Sequence, residues 1–125
     1  MASPEFLKVM KILVATEKPF DAAAVNGIRN IVTEAGHELA LLEKYTDKKQ
    51  LLAAVADVDA LIVRSDKVTA EVIAAAPQLK IVVRAGAGYD NLDLAACSER
   101  GIVAMNTPVQ NSNAVVENTI REIRE

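Results

Sequence analysis

The chain has no tryptophan, and phenylalanine and tyrosine together make up 3% of its 125 residues. A core of this composition cannot be built around aromatic rings. It must come from the valine, isoleucine, leucine and alanine that dominate the 51% hydrophobic content, which is too high for a disordered tail. The single cysteine, Cys97, excludes an internal disulfide, so a reducing, cytoplasmic setting is the expectation. The single histidine, His37, lies between Gly36 and Glu38 with no second His or Cys beside it, which argues against a metal site. No apolar run approaches the ~20 residues of a membrane span. No basic segment followed by a long apolar stretch marks a secretory leader. A net charge of -3 argues against nucleic acid, which asks for a basic face. No nucleophile–base pair and no acid–base dyad is legible.

A length of 125 residues is that of one domain. Residues 1–9 read as a linker, its first six (Met1-Ala2-Ser3-Pro4-Glu5-Phe6) resembling vector-derived sequence, and the fold is expected over 10–125. Within that span short apolar runs recur: Lys11–Ala15, Glu38–Leu42, Ala60–Val63, Lys80–Val83 and Ile102–Met105. They are continuously apolar rather than alternating, as in parallel strands covered on both faces.

The intervals carry helix signals. Val25, Ile28, Val32 and Ala35 repeat at spacings of three and four, and Gly36 follows where a helix-ending glycine belongs. Asp47-Lys48-Lys49-Gln50 fits a capping box ahead of Leu51, Leu52 and Val55. Thr69 can cap a third helix, with Val72 and Ile73 as its apolar face and Pro77 beyond its end. A short fourth helix runs from Asp93 to Arg100, closed by Gly101, with Cys97 as a buried thiol. Asn111-Ser112-Asn113 can cap a fifth. Five β–α units imply an α/β fold: a flavodoxin-like, five-stranded parallel sheet of order 2-1-3-4-5 with helices on both faces. Ligands bind such sheets beyond the carboxyl ends of the strands, which directs attention to the segments starting at Thr16, Arg64, Arg84 and Asn106.

After the third strand, Arg64-Ser65-Asp66-Lys67 places a guanidinium, a hydroxyl and an ammonium within four residues. That set can hold a phosphate or carboxylate; it can equally be a solvated loop in which Asp66 pairs with Lys67 or Arg64. After the fourth strand, Arg84-Ala85-Gly86-Ala87-Gly88 lets the backbone turn tightly and offer its N–H groups to a ligand. Gly86-x-Gly88 resembles the start of a dinucleotide fingerprint, but position 91 is Asn and the motif follows the fourth strand, not the first. A carboxylate cradle beside Arg84 is the better reading. After the fifth strand, the Asn-rich segment from Asn106 to Asn113 serves either as helix capping or as a ligand wall, with Asn106 placed to face a ligand.

Leu61-Ile62-Val63-Arg64-Ser65, Val83-Arg84-Ala85-Gly86-Ala87-Gly88-Tyr89-Asp90-Asn91, Asp93-Leu94, Arg100-Gly101-Ile102-Val103, Met105-Asn106-Thr107-Pro108 and Asn111-Ser112-Asn113-Ala114-Val115 carry a resemblance. Over residues 10 to about 117 the chain resembles the substrate-binding domain of the D-isomer-specific 2-hydroxyacid dehydrogenases, and within them the members that act on phosphoglycerate. The resemblance implies an NAD-dependent oxidation of 3-phosphoglycerate to 3-phosphohydroxypyruvate, in serine biosynthesis. It implies that Arg64, Ser65 and Lys67 meet the substrate phosphate, that the backbone of Ala85, Gly86 and Ala87 holds the carboxylate, that Ala87 touches the nicotinamide side of the cofactor, and that Asn106 lines the same cleft. The family's Rossmann domain, with its nucleotide-binding glycines and catalytic Arg, Glu and His, has no counterpart in these 125 residues. NAD is therefore expected for the parent enzyme and not for this fragment, which is expected to be inactive by itself. The partners implied are a small phosphorylated 2-hydroxy acid and the missing Rossmann domain. A homodimer through the exposed interdomain face is the assembly left open.

The C-terminus departs from the family pattern. Val116, Ile120 and Ile123 leave one apolar stripe, and Glu117/Arg121 and Arg121/Glu125 are opposite-charge pairs on the other side. Such a helix suits the outside of a small stand-alone domain, trimmed or redesigned. The alternatives are a scaffold without a catalytic role and a receiver-like binding module. A receiver needs an acidic pair after the first strand and an Asp after the third, where this chain has Glu17-Lys18 and Arg64.

Overall fold

A computed structural model describes residues 9–17, 21–85, 88, 90–107 and 112–124. Five strands, β1 (Lys11–Thr16), β2 (Glu38–Glu43), β3 (Ala60–Val63), β4 (Ile81–Ala85) and β5 (Val103–Thr107), form one sheet of order β2-β1-β3-β4-β5. All four pairings are parallel. The expected flavodoxin-like order is the observed one. Five helices connect or follow the strands: α1 (Ala22–Glu34), α2 (Lys48–Ala54), α3 (Ala70–Ala74), α4 (Leu94–Glu99) and α5 (Ser112–Arg124). The expected linker 1–9 lies outside the described residues except for Val9.

The local signals act as anticipated. Asp47 and Gln50 close a complete capping box at α2, and the Thr69 hydroxyl accepts from the Val72 N–H at α3. Asp21 and Asp93 cap α1 and α4 in the same way. Asn111, offered as a cap for α5, lies outside the described residues.

Strand alternation splits the core in two. Leu13, Leu61, Val63 and Val82 face one side with Leu51, Val72, Ile73 and Cys97. Ile12, Val14, Ile62, Ile81 and Val83 face the other with Ile28 and Val32 of α1 and Val115, Val116 and Ile120 of α5. Full coverage holds for β1 after Lys11, for β3 and for the first three residues of β4. The edge strands depart from it: β2 is only half-buried along its middle, and Val103 of β5 is 47% exposed. An edge strand has a neighbour on one side only, so uniform apolarity overstates its burial.

The last helix packs against its own sheet, on the α1 side. Its buried stripe is broader than the expected one, comprising Val115, Val116, Thr119 and Ile120, and Thr119 satisfies its hydroxyl by donating to the Val115 carbonyl at 2.8 Å. The side chain of Ile123 lies outside the described residues. Glu117 and Arg121 are exposed, as their charge requires.

A candidate anion cleft at the carboxyl ends of the strands

Parallel strands deliver their carboxyl ends to one edge of the sheet. There the segments after β1, β2, β3 and β4 are tied to one another by hydrogen bonds, and Asp66 is the centre of the network. Its carboxylate is buried, 5% exposed, although Ser65 and Lys67 on either side are exposed. One oxygen accepts from the Tyr45 hydroxyl at 2.6 Å and from the Glu17 N–H at 2.9 Å; the other accepts from the Arg64 N–H at 3.3 Å. Burial first, and then this bond to Asp66, push the Tyr45 phenol well above its ordinary pKa. Asp66 thus binds Tyr45 and the backbone, where the sequence suggested pairing with Lys67 or Arg64.

The β4 side closes the network. The Asn91 amide donates to the carbonyls of Arg64, at 3.2 Å, and Asp66, at 2.7 Å. Val68 bridges Leu92 in a single parallel step, with the Val68 N–H donating to the Asn91 carbonyl at 2.8 Å. The segment 64–66 is therefore fixed through its side chain on one flank and its carbonyls on the other.

A cleft of about 750 Å³ opens beside it, bordered by Glu17, Tyr45, Lys48, Arg64, Ser65 and Lys67 among others. Three candidate residues, Arg64, Ser65 and Lys67, share this wall. Arg64 is half-buried and places its guanidinium-bearing side chain on this wall.

Arg84, Ala85 and Asn106 do not border that cleft; they stand beside it, on the sheet. Arg84 is placed opposite Val63 on one side and Asn106 on the other, and Ala85 opposite Thr107. Arg84 and Asn106 lie within their strands rather than beginning the loops, because β4 and β5 each run two residues past the ends expected for them. The Arg84 guanidinium donates to Asp90 at 2.8 Å. Gly86 and Ala87, assigned to carboxylate and cofactor, lie outside the described residues. Gly88 adopts φ +89°, a left-handed conformation that favours glycine.

Where a dinucleotide fingerprint would carry its third glycine stands Asn91, whose amide donates to two carbonyls. No group of three or more His, Cys, Asp or Glu residues suited to a metal ion occurs among the described residues. His37 instead accepts at Nδ1 from the Met10 N–H. No helix among the described residues is long and apolar enough to cross a membrane.

Asp66, Tyr45 and Asn91 were missed as site residues. A single aspartate between a serine and a lysine reads as a surface residue, and nothing local announces that a tyrosine twenty-one positions earlier will cover it.

With this fold and cleft in place, the class follows: the chain belongs to the D-isomer specific 2-hydroxyacid dehydrogenase family, whose catalytic-domain profile matches residues 12–119. Within that family it is similar to D-3-phosphoglycerate dehydrogenases. The human one is 47% identical over 93 residues, which cover 73% of this chain and 17% of that protein. The one from Mycobacterium leprae is 51% identical over 75 residues, 59% of this chain and 14% of that protein. A crystal structure of 3-phosphoglycerate dehydrogenase from Entamoeba histolytica with bound NAD+ superposes with a TM-score of 0.78 at 53% identity, covering 80% of this chain and 33% of that one. The matched part of this chain thus corresponds to between 14 and 17% of these curated relatives.

Proposed function

We propose that this chain is the substrate-side domain of an NAD-dependent dehydrogenase that oxidises 3-phosphoglycerate to 3-phosphohydroxypyruvate in serine biosynthesis, in the cytoplasm. Arg64, Ser65 and Lys67 bind the phosphate. The backbone of Ala85, Gly86 and Ala87 holds the carboxylate, with Arg84 and Asn106 on the same side. Ala87 meets the nicotinamide of NAD, which is bound chiefly by a Rossmann domain opposite. The observation that carries this is the convergence of Arg64, Ser65 and Lys67 on one cleft at the carboxyl edge of the sheet.

The division of labour follows from the residues. The chain supplies a guanidinium fork, a hydroxyl and an ammonium for an anion. Removing hydride from the substrate carbon also requires the nicotinamide and a base to take the hydroxyl proton. The cleft's side chains include neither an imidazole nor a carboxylate free of structural duty beyond Glu17. The 125 residues by themselves therefore bind the anion without turning it over.

Titration of the ¹⁵N-labelled chain with 3-phosphoglycerate tests this. Shifts should concentrate at 64–67 and 84–88. Arg64→Ala should weaken binding about 10- to 100-fold, the range of a charge-assisted hydrogen bond. An unaltered affinity in Arg64→Ala overturns the site, and NADH formation by the chain alone overturns the division of labour.

A further inference from the structure

The cleft wall includes a buried carboxylate, that of Asp66. A negative charge beside an anion site opposes binding less when its oxygens are already satisfied by donors. Those of Asp66 are: a hydroxyl and two backbone N–H groups converge on them. Each donor comes from a different segment. Tyr45 follows β2, Glu17 follows β1, and Arg64 begins the β3 loop itself.

We propose that Asp66 is a positioning residue of the anion cleft, its carboxylate held by the Tyr45 hydroxyl so that the backbone of Arg64 and Ser65 is set to present their side chains to the ligand. The proposal rests on the function given above. A short exposed loop would otherwise sample many conformations, and ordering it at the moment of binding would lower affinity. Here the loop is ordered beforehand. Asp66 grips it from the β1–β2 side, and Asn91 grips its carbonyls from the β4 side. The Tyr45 hydroxyl is the removable link, since Tyr45→Phe keeps the ring in its buried place and takes away only the donor.

The test compares the unsubstituted chain with Tyr45→Phe, using two readings: amide hydrogen exchange and affinity for 3-phosphoglycerate. Losing one hydrogen bond to a carboxylate should speed exchange at the Arg64 and Glu17 amides about tenfold and weaken binding by a similar factor. Arg100→Ala is the control for simple loss of stability. Its guanidinium caps the carbonyls of Ile73, Ala76 and Pro77 at the opposite edge of the sheet. At a temperature where it stays folded, both readings should match the unsubstituted chain. Asp66→Asn serves if Tyr45→Phe does not fold, and should move both readings the same way.

Faster exchange with unchanged affinity would make Asp66 purely structural, and unchanged exchange would remove the link altogether; either overturns the positioning role while the function stands. Absence of binding by the unsubstituted chain removes the function, and the positioning role with it.

Discussion

Arg84, near the end of β4, and Asp90, six residues further on, are joined, a guanidinium nitrogen lying 2.8 Å from a carboxylate oxygen. The partners are unequal, since the Arg84 side chain is 18% exposed and that of Asp90 90%. The aspartate is thus a solvated counter-ion on a largely covered cation.

The first prediction is a pH dependence. The hydrogen bond from Arg84 holds the Asp90 carboxyl below its ordinary range. A depressed carboxylate contributes stability that is present above its unfolded pKa and lost as pH falls through the folded one. Carboxyl ¹³C titration should show the Asp90 pKa rising when Arg84 is replaced by Met, since the bond that lowers it is lost. An Asp90 that titrates identically in both proteins would show that the pair does not form in solution. Because an exposed ion pair is weak, Asp90→Asn should change the affinity for 3-phosphoglycerate by no more than about threefold.

Gly88 and Gly101 separate backbone strain from crowding. Both have positive φ, +89° and +68°. A methyl group at Gly101 meets nothing, whereas at Gly88 it lies 3.3 Å from both the Arg84 guanidinium and the Asp90 carboxylate. Each substitution to alanine should cost roughly 1–2 kcal/mol in urea unfolding through the left-handed backbone. Only Gly88→Ala should also move the Arg84–Asp90 pair, seen as a shift of the Asp90 titration. Equal Asp90 titration in the two variants would contradict the crowding.

Strand order and helix caps were legible in the sequence because they follow from local chemistry. Asp47 and Gln50 cap each other's turn, and five apolar runs separated by helices admit few sheets. Arg64, Ser65 and Lys67 could be singled out because they sit together in the chain. The network beneath them was not legible, because Tyr45, Asp66 and Asn91 are brought together only when β2, β1, β3 and β4 end side by side. The half-exposure of β2 and β5 escaped for a related reason: an apolar run does not say which strand lies at the edge.

Alkaline conditions should destabilise the fold through two buried acids. Burial raises the Cys97 thiol, with a smaller contribution from Asp93; burial followed by the Asp66 bond raises the Tyr45 phenol. Each group keeps its proton longer folded than unfolded. Its contribution is therefore complete below the unfolded pKa and declines as pH rises above about 9 for the thiol and about 10 for the phenol. Urea midpoints measured from pH 7 to 11 should fall in that window, and Cys97→Ala should flatten the earlier part of the decline. The thiol should also react with a disulfide reagent only as fast as the chain opens, since Cys97 is 1% exposed. Fast labelling of the folded chain would show that α4 is not docked against the core.

The final helix is an integral part of the core. Val116 is fully buried and Ile120 7% exposed, in one cluster with Ile28 and Val32 of α1 and Ile62 and Val83 of the sheet. Truncating Ile120 to alanine removes three carbon atoms from that cluster, so the loss of transfer energy and the residual cavity should together cost about 2–4 kcal/mol. Glu117, on the exposed face of the same helix, should change stability by less than about 0.5 kcal/mol when replaced by alanine. Urea unfolding of the two variants decides between a docked helix and a loosely held one. A loosely held α5 would make Ile120→Ala as mild as Glu117→Ala, and would leave the α1 side of β4 without the cover that Val83 and Ile81 require.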